Sequence, residues 1–471
     1  MSTRRRKIEG RGSRRGPPPA ALLVALAALS FPAGLRAEDV TPRVLPDRIE
    51  DVPSTKPDPF PAFDNFAWRA FIALNWPSLP DLAHRGEPDR TKTIGDPGPR
   101  VWETFKSRYE LFQIGADGKP LPPSPWTSDE GRNPCGPDVG NRGKTLASFV
   151  PFADFNQASF NPGLFLNPLV AQNRTYTRYE IRINQAEYDM IASKGWSEGR
   201  NLPDEAHPAD LPIGSIAVKA AWRLLTSADT PAGRARYYVV SGAEVVDVAK
   251  SLAARHIVCS PADVALVGLH IAIKTRYRPQ WIWSTFEHVD NVPPVGKGDA
   301  REPDAKDAGF PYSFFDPSRP GLSLPPLDSP ESDPVSLDNP PRIDPTPMQV
   351  TRLHPIRDQT MALNRAYWAL PGVKGTVWEH YMLVATQWPT VPNPPGPKND
   401  GTYFPGLTVS PNDPREPYQS DDPSLEGRKN LANTTIETYL QDPPSSCMAC
   451  HASIANARGF DFSTILATAT H

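Results

Sequence analysis

Apolar and polar positions along this chain repeat with two different periods. Phe63, Phe66, Ala70, Phe71 and Leu74 recur at helical spacing, with Asp64 placed to cap the segment and Pro77 to stop it. Trp102, Phe105, Tyr109 and Phe112 repeat that spacing and predict a second helix over 101–113. The middle of the chain switches to period two. Tyr179, Ile181 and Ile183 alternate with Arg178, Glu180 and Arg182, which predicts a half-buried strand with its charged face outward. Asn184 and Glu187 have capping-box spacing for a short helix that Gly195 ends. Ile216, Val218, Ala220 and Trp222 line one face of the next strand. Residues 236–248, 264–274 and 280–289 continue the strand pattern, and a helix over 357–369 precedes a strand over 376–386. No internal repeat of fixed period is present. The pattern predicts an α+β fold with a mainly antiparallel β core, short helices and long loops.

Composition accounts for the loops. The chain has 58 prolines in 471 residues, more than twice the usual share of ~5%. They concentrate in 41–61, 293–346 and 387–418. Proline blocks helix interiors and central strands, so ordered loops between short elements are expected. Eleven Trp, 13 Tyr and 19 Phe separate the chain from disordered sequences, which are poor in aromatics.

The first residues predict export. Arg4, Arg5, Arg6, Lys7, Arg11, Arg14 and Arg15 precede an apolar run from Ala20 to Ala33, which ends in Leu35-Arg36-Ala37. This is the layout of a signal peptide over 1–37, with cleavage after Ala37 and a periplasmic or secreted product. An uncleaved anchor is the alternative, but the run is short for a membrane span. Removing 1–37 leaves 42 basic against 52 acidic residues, a net charge of −10. That balance argues against a nucleic-acid partner, because phosphate binding needs a basic face. No later segment is long and apolar enough to cross a bilayer, so no membrane span is expected after removal. In an oxidising compartment Cys135 and Cys259 suggest a disulfide, with two free buried thiols as the alternative.

The remaining cysteines carry the chemistry. Cys447-Met448-Ala449-Cys450-His451 is a CxxCH sequence. Two thiols at this spacing can add to the two vinyl groups of one porphyrin, and the histidine that follows supplies a proximal iron ligand. One covalent haem c per chain is therefore expected, held by Cys447, Cys450 and His451, with His451 on the iron. A redox CxxC wants a thioredoxin-like strand-to-helix setting, and a zinc site wants a second ligand pair; neither is visible. Asn433 to Leu440 reads as a short helix, and Ser446 can cap another that carries the motif and ends at Gly459. A haem segment of about 40 residues, 430–471, is too short to bury a core unaided. The large domain, 38–429, is expected to complete its pocket.

Several strings agree with this reading. They are Val101-Trp-Glu-Thr-Phe-Lys106, Thr177-Arg-Tyr-Glu-Ile-Arg-Ile-Asn184, Val218-Lys-Ala-Ala-Trp-Arg223, Pro279-Gln-Trp-Ile-Trp-Ser-Thr-Phe-Glu-His-Val-Asp-Asn291 and Thr434-Thr-Ile-Glu-Thr-Tyr-Leu440. Together with the C-terminal CxxCH, they resemble a poorly characterised family of exported bacterial cytochrome c proteins. The resemblance implies c-type haem, a periplasmic location and electron transfer, and it transfers roles only to Cys447, Cys450 and His451.

No methionine follows the motif, so a sixth iron ligand comes from upstream or is absent. Met348, Met361, Met382, His354 and His380 are the candidates. A separate metal cluster of His270, Glu287, His288 and Asp290 is conceivable if 264–274 and 280–289 pair as a hairpin. Three functions follow: a mono-haem cytochrome passing single electrons to an unknown periplasmic redox partner, a haem-dependent oxidoreductase with a substrate site in the large domain, or a secreted haem-based sensor or binding protein.

Overall fold

A computed structural model describes residues 40–41, 60–141, 143–158, 167–204, 207–276, 278, 281–294, 311–318, 333–353, 355–388, 432–441, 447, 451 and 459–468. The expected signal peptide, 1–37, lies outside them. Helices α1 (Phe60–Leu74), α2 (Arg108–Leu111), α3 (Gln185–Lys194), α4 (Pro231–Arg234), α5 (Val248–Ala254) and α6 (Asp358–Trp368) accompany ten strands. These are β1 (Lys106–Ser107), β2 (Gln113–Ile114), β3 (Pro120–Leu121), β4 (Thr145–Leu146), β5 (Arg178–Ile183), β6 (Ile216–Leu224), β7 (Val239–Val246), β8 (Cys259–Ile273), β9 (Ile282–His288) and β10 (Tyr381–Gln387). The fold is α+β and the sheet is largely antiparallel, as the periodicity predicts; the β4–β7 pair is parallel.

Strand β8 organises the sheet. One of its edges pairs with β6. Its other edge pairs first with β7, through Cys259–Ala265, and then with β9, through Gly268–Ile273. β5 and then β1 extend the sheet beyond β6, and β10 extends it beyond β9. The hairpin expected from 264–274 and 280–289 is the β8–β9 pair. Cys135 and Cys259 form a disulfide with Cα atoms 5.2 Å apart, which closes a 124-residue separation at the start of β8.

Residues directly opposite each other in a ladder share a face. One face carries Phe286 and Leu269, and α1 and α6 cover it with aromatic rings. Phe71 stacks on Phe286 at 4.3 Å and Trp68 stacks on Tyr367 at 4.7 Å. The other face carries Lys219, His270 and Thr285 in one row, with Ala217, Ala272 and Trp283 in the next. It is covered by the C-terminal segment.

Local expectations fare unequally. Asn184 caps α3 by accepting from the Glu187 amide, and Gly195 ends it at φ 64°. The first helix begins at Phe60, so Asp64 lies inside it; its carboxylate accepts from Thr360 Oγ at 2.7 Å instead of capping. The 101–113 stretch is not one helix. It breaks into a 3-10 turn at Val101–Thr104, β1, α2 and β2, because Arg100 and Ser107 each open a new cap. On β5 the charged face is not outward: Arg178, Glu180 and Arg182 are buried. The alternation is genuine, but both faces are covered. Residues 377–380 form a 3-10 turn ahead of β10, and β10 has an irregularity between Leu383 and Ala385. His380 therefore precedes the strand that the sequence assigns it to.

Candidate functional site

Two stretches flank the CxxCH sequence, and both are docked. The first, 432–441, lies on the sheet face around Gly268. A Cβ at Gly268 would meet Thr435 Oγ at 2.3 Å and Asn433 Oδ at 3.1 Å. Glycine is what admits the segment there. Asn433 Nδ2 donates to the Phe286 carbonyl at 2.7 Å and to Thr285 Oγ at 3.1 Å. The Thr434 amide and hydroxyl both donate to Glu287, whose other oxygen pairs with Arg352. Tyr179 donates to the Thr435 carbonyl at 2.7 Å. The expected helix over Asn433–Leu440 is reduced to a 3-10 turn, Thr438–Leu440, because the preceding side chains bond to the sheet.

The second stretch, 459–468, is anchored at the end of β8. Phe460, Phe462, Ile465 and Leu466 are buried in the main core. Asp461 accepts from Lys274 Nζ and from the Leu211 amide, each at 2.6 Å. Ser463 donates to Glu187 at 2.9 Å. Burial raises the Glu187 carboxyl to about 8, against the Ser463 hydrogen bond. Burial also raises Asp461 to about 7, with the Lys274 ammonium opposing it.

His451 sits between these stretches. Its Nδ1 lies 2.7 Å from the Phe462 carbonyl, so that nitrogen donates and Nε2 is left as the ring's lone-pair nitrogen. Its ring lies 4.3 Å from Trp283. Burial lowers the imidazole to about 4; the Phe462 carbonyl opposes this, while His270 and Lys219 reinforce it. The ring is neutral near pH 7, the form that ligates a metal. Cys447 is half-buried and packed against the main core. Cys447 and His451 are both helical, as the Ser446-capped helix requires; Ser446, Met448 and Cys450 lie outside the described residues. Cys447 and a lone-pair imidazole beside Ala217, Ala272 and Trp283 supply two of the three groups that a thioether-bonded porphyrin would need.

Two of the upstream candidates for a sixth ligand hold their sulfurs in other contacts. The Met348 sulfur accepts from the Tyr439 hydroxyl at 3.3 Å and the Met361 sulfur from Asn364 at 3.4 Å. Met382 is buried on β10 opposite Glu287. The His380 ring is 6.0 Å from His288 and is lowered to about 3 by burial, then by Arg236. His354 lies outside the described residues.

The four-residue metal cluster does not assemble, although β8 and β9 pair. Glu287 is taken by Arg352 and Thr434. His288 Nε2 donates to the Arg236 carbonyl at 3.1 Å, and its Nδ1 accepts from the Asp290 amide. Asp290 holds Arg236 through both oxygens, at 2.6 and 2.9 Å. Among the described residues no three His, Cys, Asp or Glu side chains are grouped to hold a metal ion. Only His270 belongs near the motif. Its Nε2 is 3.1 Å from Glu437 but is not aligned for a hydrogen bond.

Sequence reasoning missed Phe462, Asp461, Lys274 and Glu437. No local pattern marks them, since the partners named above lie 11 to 250 residues away. No family model, no curated protein and no solved structure matches the chain. Among the described residues no helix is long and apolar enough to cross a membrane.

Proposed function

We propose that this chain is an exported mono-haem c-type cytochrome. Cys447 and Cys450 form the thioethers, and His451 is the proximal iron ligand. The observation that carries the reading is the Phe462 carbonyl, 2.7 Å from His451 Nδ1. A metal-ligating histidine characteristically gives its second nitrogen to a carbonyl or carboxylate, which fixes the tautomer and the ring plane. A helical His451 with that bond, four residues after a helical Cys447, is the local arrangement that haem attachment needs.

The haem would supply a one-electron couple at its iron. The chain's own residues orient His451 and exclude water from it. They also lay a low-dielectric wall of Trp283, Ala217 and Ala272 along the sheet face. Passing single electrons to a periplasmic partner is the function this supports best. A second reading has one specific observation behind it. His270 and Glu437 place an imidazole and a carboxylate 3.1 Å apart beside His451, a pair able to move a proton during haem-dependent oxidation of a substrate.

Both readings meet one experiment. Protein matured in a host with haem-attachment machinery is expected to weigh one haem more than its polypeptide and to give a c-type reduced-minus-oxidised spectrum. Colourless protein of polypeptide mass rejects both. Carbon monoxide binding to the reduced protein selects the oxidoreductase, and no binding selects the electron carrier.

A further inference from the structure

The carbonyl that meets His451 is delivered by an unusual turn. Asp461 and Phe462 both have left-handed backbone, at φ 47° and 60°. Neither is glycine, and two consecutive side-chain-bearing residues rarely adopt this region. Such a backbone persists only where its surroundings over-determine it. Here they do. Asp461 is 1% exposed, and its Oδ2 accepts from Lys274 Nζ and the Leu211 amide, both at 2.6 Å. Phe460 and Phe462 are buried on either side of it. The Gly459 carbonyl accepts from the Ala209 amide at 2.8 Å. A Cβ at Gly459 would meet the Asp204 carbonyl oxygen at 2.4 Å, so the turn begins pressed against a neighbouring backbone. Lys274 is itself 1% exposed and follows the last residue of β8. The rigid central strand, the ion pair, the strained turn and the imidazole thus form one continuous chain of contacts.

We propose that Lys274 and Asp461 are positioning residues for the iron ligand. Their ion pair locks the turn that aims the Phe462 carbonyl at His451 Nδ1, and so sets how strongly the imidazole donates electrons to the iron. The proposal rests on the reading of His451 as a haem ligand. A carbonyl held on Nδ1 makes the imidazole a stronger donor, which favours the oxidised iron and lowers the potential. Loosening the turn weakens that bond and raises the potential. Asp210, the more exposed carboxylate 2.6 Å from Lys274 Nζ, shares the ammonium from outside the turn and serves as the control.

The test is the midpoint potential of the mature holoprotein, measured by optical redox titration for the wild type, Asp461→Asn, Lys274→Met, Lys274→Arg and Asp210→Asn. Asp461→Asn and Lys274→Met are expected to raise the potential by about a tenfold change in the redox equilibrium, ~59 mV for one electron. Lys274→Arg should restore most of the wild-type value, and Asp210→Asn should leave it unmoved. Unchanged potentials in Asp461→Asn and Lys274→Met overturn the proposal. If those two variants do not accumulate folded, proton NMR of the reduced wild type decides. A slowly exchanging His451 Nδ1 proton supports the locked carbonyl, and a rapidly exchanging one overturns it. A wild type without haem rejects the haem reading as well, whereas a coloured wild type with unmoved variants rejects this proposal alone.

Discussion

Two polar clusters lie on opposite faces of the same sheet; the one around Glu180 is buried, and the one around His451 is partly exposed. Around Glu180, Lys144 Nζ stands 2.6 Å from the carboxylate, Arg182 Nε 2.7 Å and Trp222 Nε1 2.8 Å. Lys144 also lies over the Trp102 and Trp222 rings, at 4.7 and 4.3 Å. Burial alone would raise the Glu180 carboxyl, but Lys144 and Arg182 outweigh it and hold it at about 2. Around His451, Nδ1 donates to the Phe462 carbonyl, and the Nε2 of His270 faces Glu437 at 3.1 Å without a hydrogen bond among the described residues. A buried polar group that is fully paired stabilises or specifies the fold. One that is oriented but still has capacity is available to a ligand. The comparison separates structural from functional polarity without any reference to residue type.

The largest test of that difference removes Glu180. Glu180→Ala leaves Arg182 as an uncompensated buried charge, while Lys144 keeps Glu103 at 2.6 Å, and is expected to cost about 3–5 kcal/mol, read from the denaturant midpoint at constant slope. A change below ~1 kcal/mol would mean that the cluster is wet and the contrast is false. Next comes Gly268→Ala, where the added methyl collides with Thr435 and Asn433. A loss of about 1–3 kcal/mol is expected, together with faster proteolysis within 432–441; unchanged proteolysis would show that the segment is not seated by that contact.

A third test uses pH. The folded-state Glu187 carboxyl is raised to about 8 from its ordinary 4.5. Between those values the folded chain keeps a proton that the unfolded chain releases, so this group's contribution to stability falls as pH rises through that window. Lys274 and Asp461 are the charged groups that act on it. Glu187→Gln keeps an acceptor for Ser463 and removes the slope. It is expected to be about 1–2 kcal/mol more stable than the wild type at pH 8.5 and equal to it at pH 4, by thermal melts across the range. The smallest effect belongs to His270. Because its Nε2 makes no hydrogen bond among the described residues, His270→Leu should change stability by less than ~1 kcal/mol in the denaturant midpoint. A stability loss as large as that of Glu180→Ala would place His270 with the structural cluster.

What the sequence shows and hides follows the range of the interactions. The α3 cap at Asn184, its stop at Gly195 and the β8–β9 hairpin are set by neighbours, and all are legible. The Cys135–Cys259 bridge was legible as an option, because two cysteines leave one pairing. The charged face of β5 misleads, since alternation reports two faces and not which of them meets water. Lys144 and Trp222, which bury Glu180, lie 36 and 42 residues away. The aromatic period over 101–113 misleads for a similar reason: its rings are core, but Arg100 and Ser107 restart the backbone locally. At the candidate site the motif was legible because covalent attachment needs fixed spacing. Its support was not, because a carbonyl at Phe462 and an ammonium at Lys274 carry no spacing rule.

The cover of the sheet reaches it late. Tyr179 and Phe286 are bonded by Thr435 and Asn433, residues 256 and 147 positions further along the chain. During synthesis these strands exist long before the segment that shields them, and Gly268 keeps an open notch until that segment arrives. The domain is therefore built to finish folding only after most of it has left the ribosome.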